Sequence, residues 1–314
     1  MYSIVIPCYK SSETIEEVVT STLNVMKKLN KENVEFVLVN DCSPDNGKTI
    51  DKLRQLAKEY SFVKVINLAK NVGQHNAMMA GLRHATGDVI ISMDDDMQTR
   101  PSELPKMFAE FENGYDVVYG CYPEKKHSTF RNFGSWFNRV TVTWLLKKPK
   151  KIRSSSFWIM HKFVKDSITT YTGSHTYLLG LILRTTHNIK SVEVNHFERE
   201  HGTSGYTLKS LLGLWSNIIG FTSKPLELAM HMGYFVSFCS IIAAVIVFIR
   251  KLVNPALTVG WPSTIIAIFF SLGILLAFMG LIGEYIGRMY IQINNEPQYV
   301  IKEMINIEEE KCQK

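Results

Sequence analysis

Two stretches near the C-terminal end, Met232 to Ile249 and Leu252 to Gly283, contain no Asp, Glu, Lys or Arg. No other feature of the 314 residues restricts the fold as much. At 1.5 Å per helical residue, 232–249 makes roughly 27 Å of helix and 261–283 roughly 34 Å, and a bilayer's hydrocarbon core is about 30 Å thick. A buried core helix would account for the shorter run alone. Two such runs joined by the short Arg250–Gly260 connection predict a spanning hairpin, with both flanks on one side of the membrane. Arg250 and Lys251 lie in that connection and leave the positive-inside rule unhelpful for orientation.

The first 225 residues hold most of the charge, so the chain divides into a polar part and a lipid-like part. The expected divisions are a domain over 1–207, an amphipathic interfacial region over 208–227, the two spans within 228–286, and a C-terminal tail over 287–314. Leu208 to Ile219, with Trp215 among its apolar residues, fits the headgroup zone or an ordinary surface helix. The formal charge of +6 is modest. Its basic clusters, Lys125 to Arg139 and Lys147 to Arg153, show none of the modules that read nucleic acid, so no nucleic-acid partner is expected. Five scattered cysteines without CxxC spacing argue against a disulfide framework or a zinc site and suit a reducing compartment. The chain enters a buried strand pattern at residue 3, so no signal peptide is expected and insertion falls to the C-terminal runs.

The N-terminal half alternates strands and helices. Ser3–Pro7, Val34–Val39, Val63–Asn67 and Asp88–Met93 are short apolar runs rich in β-branched residues. Between them Glu13–Leu29, Thr49–Tyr60 and His75–Ala85 carry helical periodicity, with Ser11 or Ser12 as the first N-cap. Gly114–Gly120 reads as a further strand, and the pattern beyond it is hard to read. This alternation predicts a parallel sheet covered by helices on both faces, whose ligands bind beyond the carboxyl ends of the strands. The loops opening at Pro7, Asn40, Asn67 and Asp94 would meet there.

The chemistry in those loops is acidic. At an extended strand end Asp94 and Asp96 share one side while Asp95 points away. With the amide oxygen of Gln98 they form a hard-oxygen set suited to Mg²⁺ or Mn²⁺, an ion that would neutralise a diphosphate. A solvated acidic turn uses the same letters, but a position at the end of a buried strand favours the metal. Asp41 either accepts from a base or ribose or caps its own turn. Pro7, Tyr9 and Glu13 occupy the first loop, where Tyr9 is placed to pack on a base. Asn71 opens a glycine turn, Asn71-Val72-Gly73, leading into a helix N-terminus that offers amides to an anion or simply joins strand to helix. Arg199 sits in a flexible loop with Ser204, and its guanidinium suits a phosphate. Arg131 and Arg139 are either further phosphate ligands or surface cations.

Taken in order, SIVIPCYKSSETI, VNDCSPD, NLAKNVGQHNAMMAGL, GDVIISMDDDMQTRPSELP, GYDVVYG, REHGTSGYTLKSLLGL and the tail GEYIGRMYIQINNEPQYVI resemble the inverting family 2 glycosyltransferases of GT-A fold. More narrowly, they are similar to bacterial polyprenyl-phosphate glycosyltransferases related to dolichol-phosphate mannose synthase. The resemblance runs nearly the whole chain. It implies an α/β GT-A (Rossmann-like) nucleotide-sugar domain, followed by a two-helix transmembrane hairpin. By the same resemblance, Pro7, Tyr9, Glu13, Asp41, Asn71 and Asp94 bind the nucleotide sugar, and Asp94, Asp96 and Gln98 surround the metal. The resemblance sets Arg199 near phosphates; on the residues themselves we further expect Arg131 and Ser204 at the acceptor phosphate, and Asp95 and Asp96 beside Arg199 in catalysis. The implied donor is a UDP-, GDP- or dTDP-sugar and the acceptor a polyprenyl phosphate. The implied location is a bacterial plasma (inner) membrane, multi-pass, with the catalytic domain cytosolic. Homo-oligomerisation stays open.

The match has departures. Lys10-Ser11 stands where relatives carry NE, and Ser204-Gly205-Tyr206 where they read SKY. Ser156-Phe157-Trp158 replaces an aspartate followed by FRLM, so an acid and an arginine are gone. An alcohol acceptor needs a base, whereas a phosphate monoester, with a second pKa near about 6, is already mostly dianionic at neutral pH. The missing carboxylate therefore suits a phosphate acceptor. For a hydroxyl of a lipid-linked glycan, Asp95, His175 or Asp166 would have to serve instead. An assembly protein that keeps the fold without catalysis is the rival from another class.

Overall fold

The computed structural model describes residues 1–122, 143, 149, 151–174, 176–195, 197, 222–253, 260–294 and 296–307. They fall into two compact units, within Met1–Ile218 with Glu296–Lys314, and within Ile219–Asn295.

The first unit is built on β1 (Tyr2–Cys8), β2 (Val34–Asn40), β3 (Val63–Leu68) and β4 (Val89–Ser92), interleaved with α1 (Ile15–Lys28), α2 (Lys48–Glu59) and α3 (Gln74–His84). These four strands are parallel in the order β3-β2-β1-β4. Both faces of β1 and β2 are covered, so their residues after the first are all buried and their middles, Ile4–Pro7 and Phe36–Val39, read as apolar runs. Ile4, Ile6, Phe36 and Leu38 face the side packed by α1, α2 and α4 (Leu104–Glu112). Val5, Val37 and Val39 face α3, which comes so close that a Cβ at Gly81 would run into Val5 Cγ1 and lie 3.1 Å from Val39 Cγ2. Glutamates 16 and 17 in the first turn of α1 and lysines 27 and 28 in its last complement the helix dipole. The expected serine cap is absent. Thr14 is the N-cap without a side-chain bond, and the Ser11 hydroxyl donates to Asp95 instead.

The sheet is mixed rather than wholly parallel. β5 (Val117–Cys121), β6 (Trp158–His161) and β7 (Ile189–Glu193) extend it beyond β4, giving the order β7-β5-β6-β4-β1-β2-β3-β8. β6 runs antiparallel to both β4 and β5. After β6 come α5 (Lys162–Thr169) and α6 (Leu178–Thr185). At the amino end of the strands, Glu35 is a buried tie: it accepts from Ser3 Oγ at 2.5 Å and Thr86 N at 2.6 Å, and pairs with Lys64 Nζ at 2.6 Å.

The residues expected as a tail over 287–314 divide differently. The second long helix continues to Ile293, and β8 (Ile301–Ile305) joins the sheet antiparallel to β3. Arg54 Nη2 pairs with Glu303 at 2.7 Å, and Asn306 Nδ2 donates to the carbonyls of Ala57 and Val63 at 2.7 and 2.9 Å. A five-residue strand with Lys302 and Glu303 side by side offers no clean alternation, so periodicity could not reveal it.

The second unit holds α7 (Lys224–Val253) and α8 (Trp261–Ile293), of 30 and 33 residues. Each is long and apolar enough to cross a membrane, over Lys224–Ala243 (mean hydropathy 1.5) and Ala267–Ile293 (2.1). The helices extend past the charge-free stretches through charged turns, where Lys224 pairs with Glu227 and Arg288 with Glu284 at helical spacing. Tyr285 Oη donates to the Thr222 carbonyl at 2.7 Å, bringing the end of α8 beside the start of α7. The predicted interfacial helix over Leu208–Ile219 lies outside the described residues.

Candidate active site

Parallel strands deliver their carboxyl ends to one rim, and Cys8, Asn40, Leu68 and Ser92 are the last residues of β1 to β4. Beyond them lie Asp94, Asp95 and Asp96, all half-buried. Alternation at the strand end sends neighbouring side chains to different partners. Asp94 accepts from Gln74 Nε2 at 3.0 Å and from the Ser156 hydroxyl, reaching the start of α3 and the segment before β6. Asp95 turns the other way and accepts from Tyr9 N at 2.9 Å and Ser11 Oγ. Its carbonyl accepts from Thr14 Oγ1. Asp95 thus fixes the first loop. Met97 then adopts a left-handed conformation (φ 57°), reversing the chain so that Gln98 N donates to Asp96 Oδ1 at 3.1 Å.

Three successive carboxylates on a partly dry rim repel one another. Burial, reinforced by the charges of Asp96 and Asp95, raises Asp94 to about 6 against the hydrogen bonds from Ser156 and Gln74. Burial also raises Asp95, opposed by Ser11 and Tyr9. A nearby cation would relieve this crowding, and the donors at Asp94, Asp96 and Gln98 are hard oxygens, so they fit Mg²⁺ or Mn²⁺. Among the described residues no three acidic, histidine or cysteine groups already converge as a ligand set.

Asp41 has become a loop anchor. It is 4% exposed, and its two oxygens accept from Val72 N at 2.7 Å and Gly73 N at 2.9 Å. Asn71 Nδ2 returns a bond to the Asp41 carbonyl at 3.2 Å. Gly73 takes φ +82°, a left-handed turn suited to glycine, and opens α3. Tyr9 stands at the mouth, 47% exposed, with Lys10 Nζ 5.7 Å from its ring centroid. Glu13 is exposed, and Pro7 is buried within β1.

Several predicted residues are not brought to this rim. Asp166 lies on α5, beyond the end of β6 that pairs with Val89, and it pairs with Lys165 at 2.7 Å, whose ammonium reaches the Ala85 carbonyl. Because β6 runs antiparallel, it carries the chain away from Ser92 and sets Asp166 beyond the opposite, amino end of β4. Arg131, His175, Arg199 and Ser204 lie outside the described residues. Sequence reasoning missed Gln74, the direct partner of Asp94. It also missed the buried pair at the ends of β2 and β3, where Asn40 Nδ2 donates to Asn67 Oδ1 at 2.9 Å. An asparagine closing each of two adjacent apolar runs was the available signal for that pair.

Two hollows adjoin the helix α3. One of about 490 Å³ is polar and includes Lys70, Asn71, Gln74 and Glu296. The other, of about 160 Å³, lies beside the Asp94 carboxylate, with Gln74 and Ser156 on its rim.

Residues 3–169 match the family described as Glycosyl transferase family 2. Over 310 residues the chain is 32% identical to an uncharacterized glycosyltransferase, YkcC, of Bacillus subtilis (strain 168), covering 98% of this chain and 95% of that one. It is 29% identical over 312 residues to the undecaprenyl-phosphate 4-deoxy-4-formamido-L-arabinose transferase of Proteus mirabilis (strain HI4320), covering 97% and 94%. To the enzyme of the same name from Serratia proteamaculans (strain 568) the identity is 31%, covering 96% and 93%. The fold is similar to that of Mycobacterium tuberculosis glucosyl-3-phosphoglycerate synthase, with TM-score 0.52 and 16% identity over 71% of this chain and 81% of that one. A complex of that synthase with Mn²⁺, UDP and glucosyl-3-phosphoglycerate aligns at TM-score 0.51 and 16% identity, covering 71% and 80%.

Proposed function

The chain belongs to glycosyl transferase family 2 and is a glycosyltransferase of GT-A-like fold, and from that premise we propose that it moves a sugar from a nucleotide-sugar donor to a polyprenyl phosphate at the cytosolic face of a bacterial plasma membrane. The observation that carries this reading is the run Asp94-Asp95-Asp96 at the carboxyl rim of β4, in a chain that also bears two long apolar helices. The near full-length similarity to undecaprenyl-phosphate transferases supports the acceptor class.

The reaction is a single in-line displacement. An oxygen of the acceptor phosphate attacks the anomeric carbon while the bond from that carbon to the nucleoside diphosphate breaks, the electron pair leaving with the diphosphate and the configuration inverting. A phosphate dianion has no proton to lose, so no general base is needed, and Ser156 supplies none. Asp94, Asp96 and Gln98 would hold Mg²⁺ or Mn²⁺, which supplies charge neutralisation to a departing diphosphate. Asp95 holds the first loop so that Tyr9 is presented to the base, and Asp41 holds Asn71–Gly73 so that the amino end of α3 faces the donor. Arg199, Arg131 and Ser204 are assigned to the acceptor phosphate. The apolar helices keep the domain beside a lipid substrate.

The test is nucleotide release by the purified full chain with Mn²⁺, tried with UDP-, GDP- and dTDP-sugars and with undecaprenyl phosphate or a lipid-linked sugar as acceptor. Glycosylated undecaprenyl phosphate is the expected product. Transfer only to the lipid-linked sugar's hydroxyl refutes the acceptor, and absence of both donor binding and metal binding refutes the whole reading.

A further inference from the structure

The loop 170–177 joins α5 to α6, and side chains from α3 and from the segment before β8 hold it by its carbonyls. At the carboxyl end of α3, Arg83 donates from Nε to the Thr169 carbonyl at 3.3 Å and from Nη2 to the Tyr171 carbonyl at 2.7 Å. Its Nη1 donates to Tyr299 Oη at 3.0 Å, and the guanidinium lies 5.3 Å from the centroid of that ring. Further along the loop, Gln298 Nε2 donates to the Gly173 carbonyl at 3.0 Å and to the Thr176 hydroxyl. Asn76, in the first turn of α3, donates to the Ser174 carbonyl at 3.0 Å. A carbonyl only accepts, so the amide nitrogens of Gln298 and Asn76 have to face the loop. Gln298 and Thr176 are 6% and 3% exposed, and at such depth a lost hydrogen-bond partner is not replaced by bulk water.

The loop in turn reaches the acidic rim through α3. Tyr177 lies edge-on to His75, with ring centroids 5.7 Å apart. His75 follows Gln74, whose amide donates to Asp94 at 3.0 Å. The amino end of α3 is therefore held from two directions. Asp41 bonds Val72 and Gly73 from the end of β2, and the loop meets His75 and Asn76. Gln298 and Tyr299 lie between Ile293, where α8 ends, and Ile301, where β8 begins. The second hold thus depends on chain that follows both apolar helices.

We propose that Gln298 and Tyr299 are positioning residues: with Arg83 they fasten the loop 170–177 against the amino end of α3 and so keep Gln74 on Asp94. Neither residue is assigned a contact with substrate. The proposal rests on the glycosyltransferase reading above, in which Asp94 faces the metal and the donor. Its consequence is an order of assembly, in which the donor site is complete only after the chain has passed through both apolar helices and docked the segment beyond them.

The experiment uses Gln298→Met in the purified full chain, which keeps the side-chain length and removes the donor. Nucleotide release is read with Mn²⁺, undecaprenyl phosphate and the fastest of UDP-glucose, UDP-N-acetylglucosamine, GDP-mannose and dTDP-glucose. Donor KM and the half-saturating Mn²⁺ concentration should each rise about tenfold with kcat within about twofold, the pattern of lost ground-state positioning. Hydrogen exchange, which needs no donor, should show loss of protection over 170–177 and at the start of α3. Tyr299→Phe removes one hydroxyl and keeps the ring under Arg83; it should shift the same constants about threefold, and it carries the test if Gln298→Met does not fold. A fall in kcat with KM and Mn²⁺ dependence unmoved would make the role merely structural and overturn the proposal. Raised KM with loop protection intact would also overturn it, because Gln298 would then act on the donor directly. Wild type that releases nucleotide while both variants match it overturns the proposal alone. Wild type that neither binds nor turns over any donor overturns the glycosyltransferase reading and the proposal with it.

Discussion

Replacing Asp41 with asparagine separates two roles that the sequence left open. In the structure, one carboxylate oxygen accepts from Val72 N and the other from Gly73 N, at 2.7 and 2.9 Å, inside a site only 4% exposed. Asparagine keeps one acceptor and turns an amide N–H₂ toward the other backbone donor. One buried N–H is then unsatisfied, at about 1–3 kcal/mol. A partial offset comes from removing a carboxylate whose pKa burial already raises, which marks its charged form as poorly solvated there. A net loss of about 2 kcal/mol is expected, or roughly 4–8 °C in Tm for a domain of this size. Thermal unfolding in detergent measures it, with hydrogen exchange at Val72 and Gly73 reporting the loop directly. Both amides should lose protection, and donor KM should rise as the amino end of α3 loosens. Unchanged Tm and unchanged exchange, together with a raised donor KM, would refute the anchoring argument and return Asp41 to direct contact with the nucleotide.

The double substitution Asp94→Ala with Asp96→Ala should lower nucleotide release at least about 10²-fold without unfolding the domain, checked by initial rates beside a circular dichroism spectrum. Gly81→Ala drives a Cβ into Val5 at the α3–β1 contact and should destabilise by about 1–3 kcal/mol, read as a fall in Tm. For Glu35, burial raises the pKa, but bonds from Lys64, Ser3 and Thr86 outweigh it and hold the carboxyl below its usual value. A depressed carboxylate pKa stabilises above the unfolded value near about 4.3 and is lost as pH falls through the folded value. The Tm gap between wild type and Glu35→Gln should therefore be widest near neutrality and narrow below about pH 4.

The central sheet was legible because burial on both faces leaves unbroken apolar runs, as in Ile4–Pro7 and Phe36–Val39. The acidic rim was legible for the converse reason, since consecutive carboxylates after a buried strand need a use. What stayed hidden depends on distant partners. Asp41 takes its role from Val72 and Gly73, some thirty residues on. Ser11 looked like a helix cap, but its hydroxyl goes to Asp95, 84 positions away. β6 spans only four residues, Trp158–His161, too few for a period to be counted. Its antiparallel direction decides that Asp166 falls beyond the amino end of β4, away from the acidic rim, which spacing along the chain cannot reveal.

The late position of β8 has a topological consequence. Strands β1 to β7 precede the apolar helices and β8 follows them, yet all eight share one sheet. A chain that leaves a folded unit and returns to it cannot end on the opposite side of a bilayer. If α7 and α8 both cross, the count is even by construction, whatever the charges of Arg250 and Lys251, and a one-span arrangement would tear β8 from β3. The same order delays closure of the sheet. Until α8 has been made, β3 presents an open edge, the kind of unpaired edge that invites pairing with another chain. Arg54 then pairs with Glu303, and Asn306 occupies the Ala57 and Val63 carbonyls, so a segment made after both apolar helices also covers that edge. The two long apolar helices are in this sense an insertion between strands of one sheet.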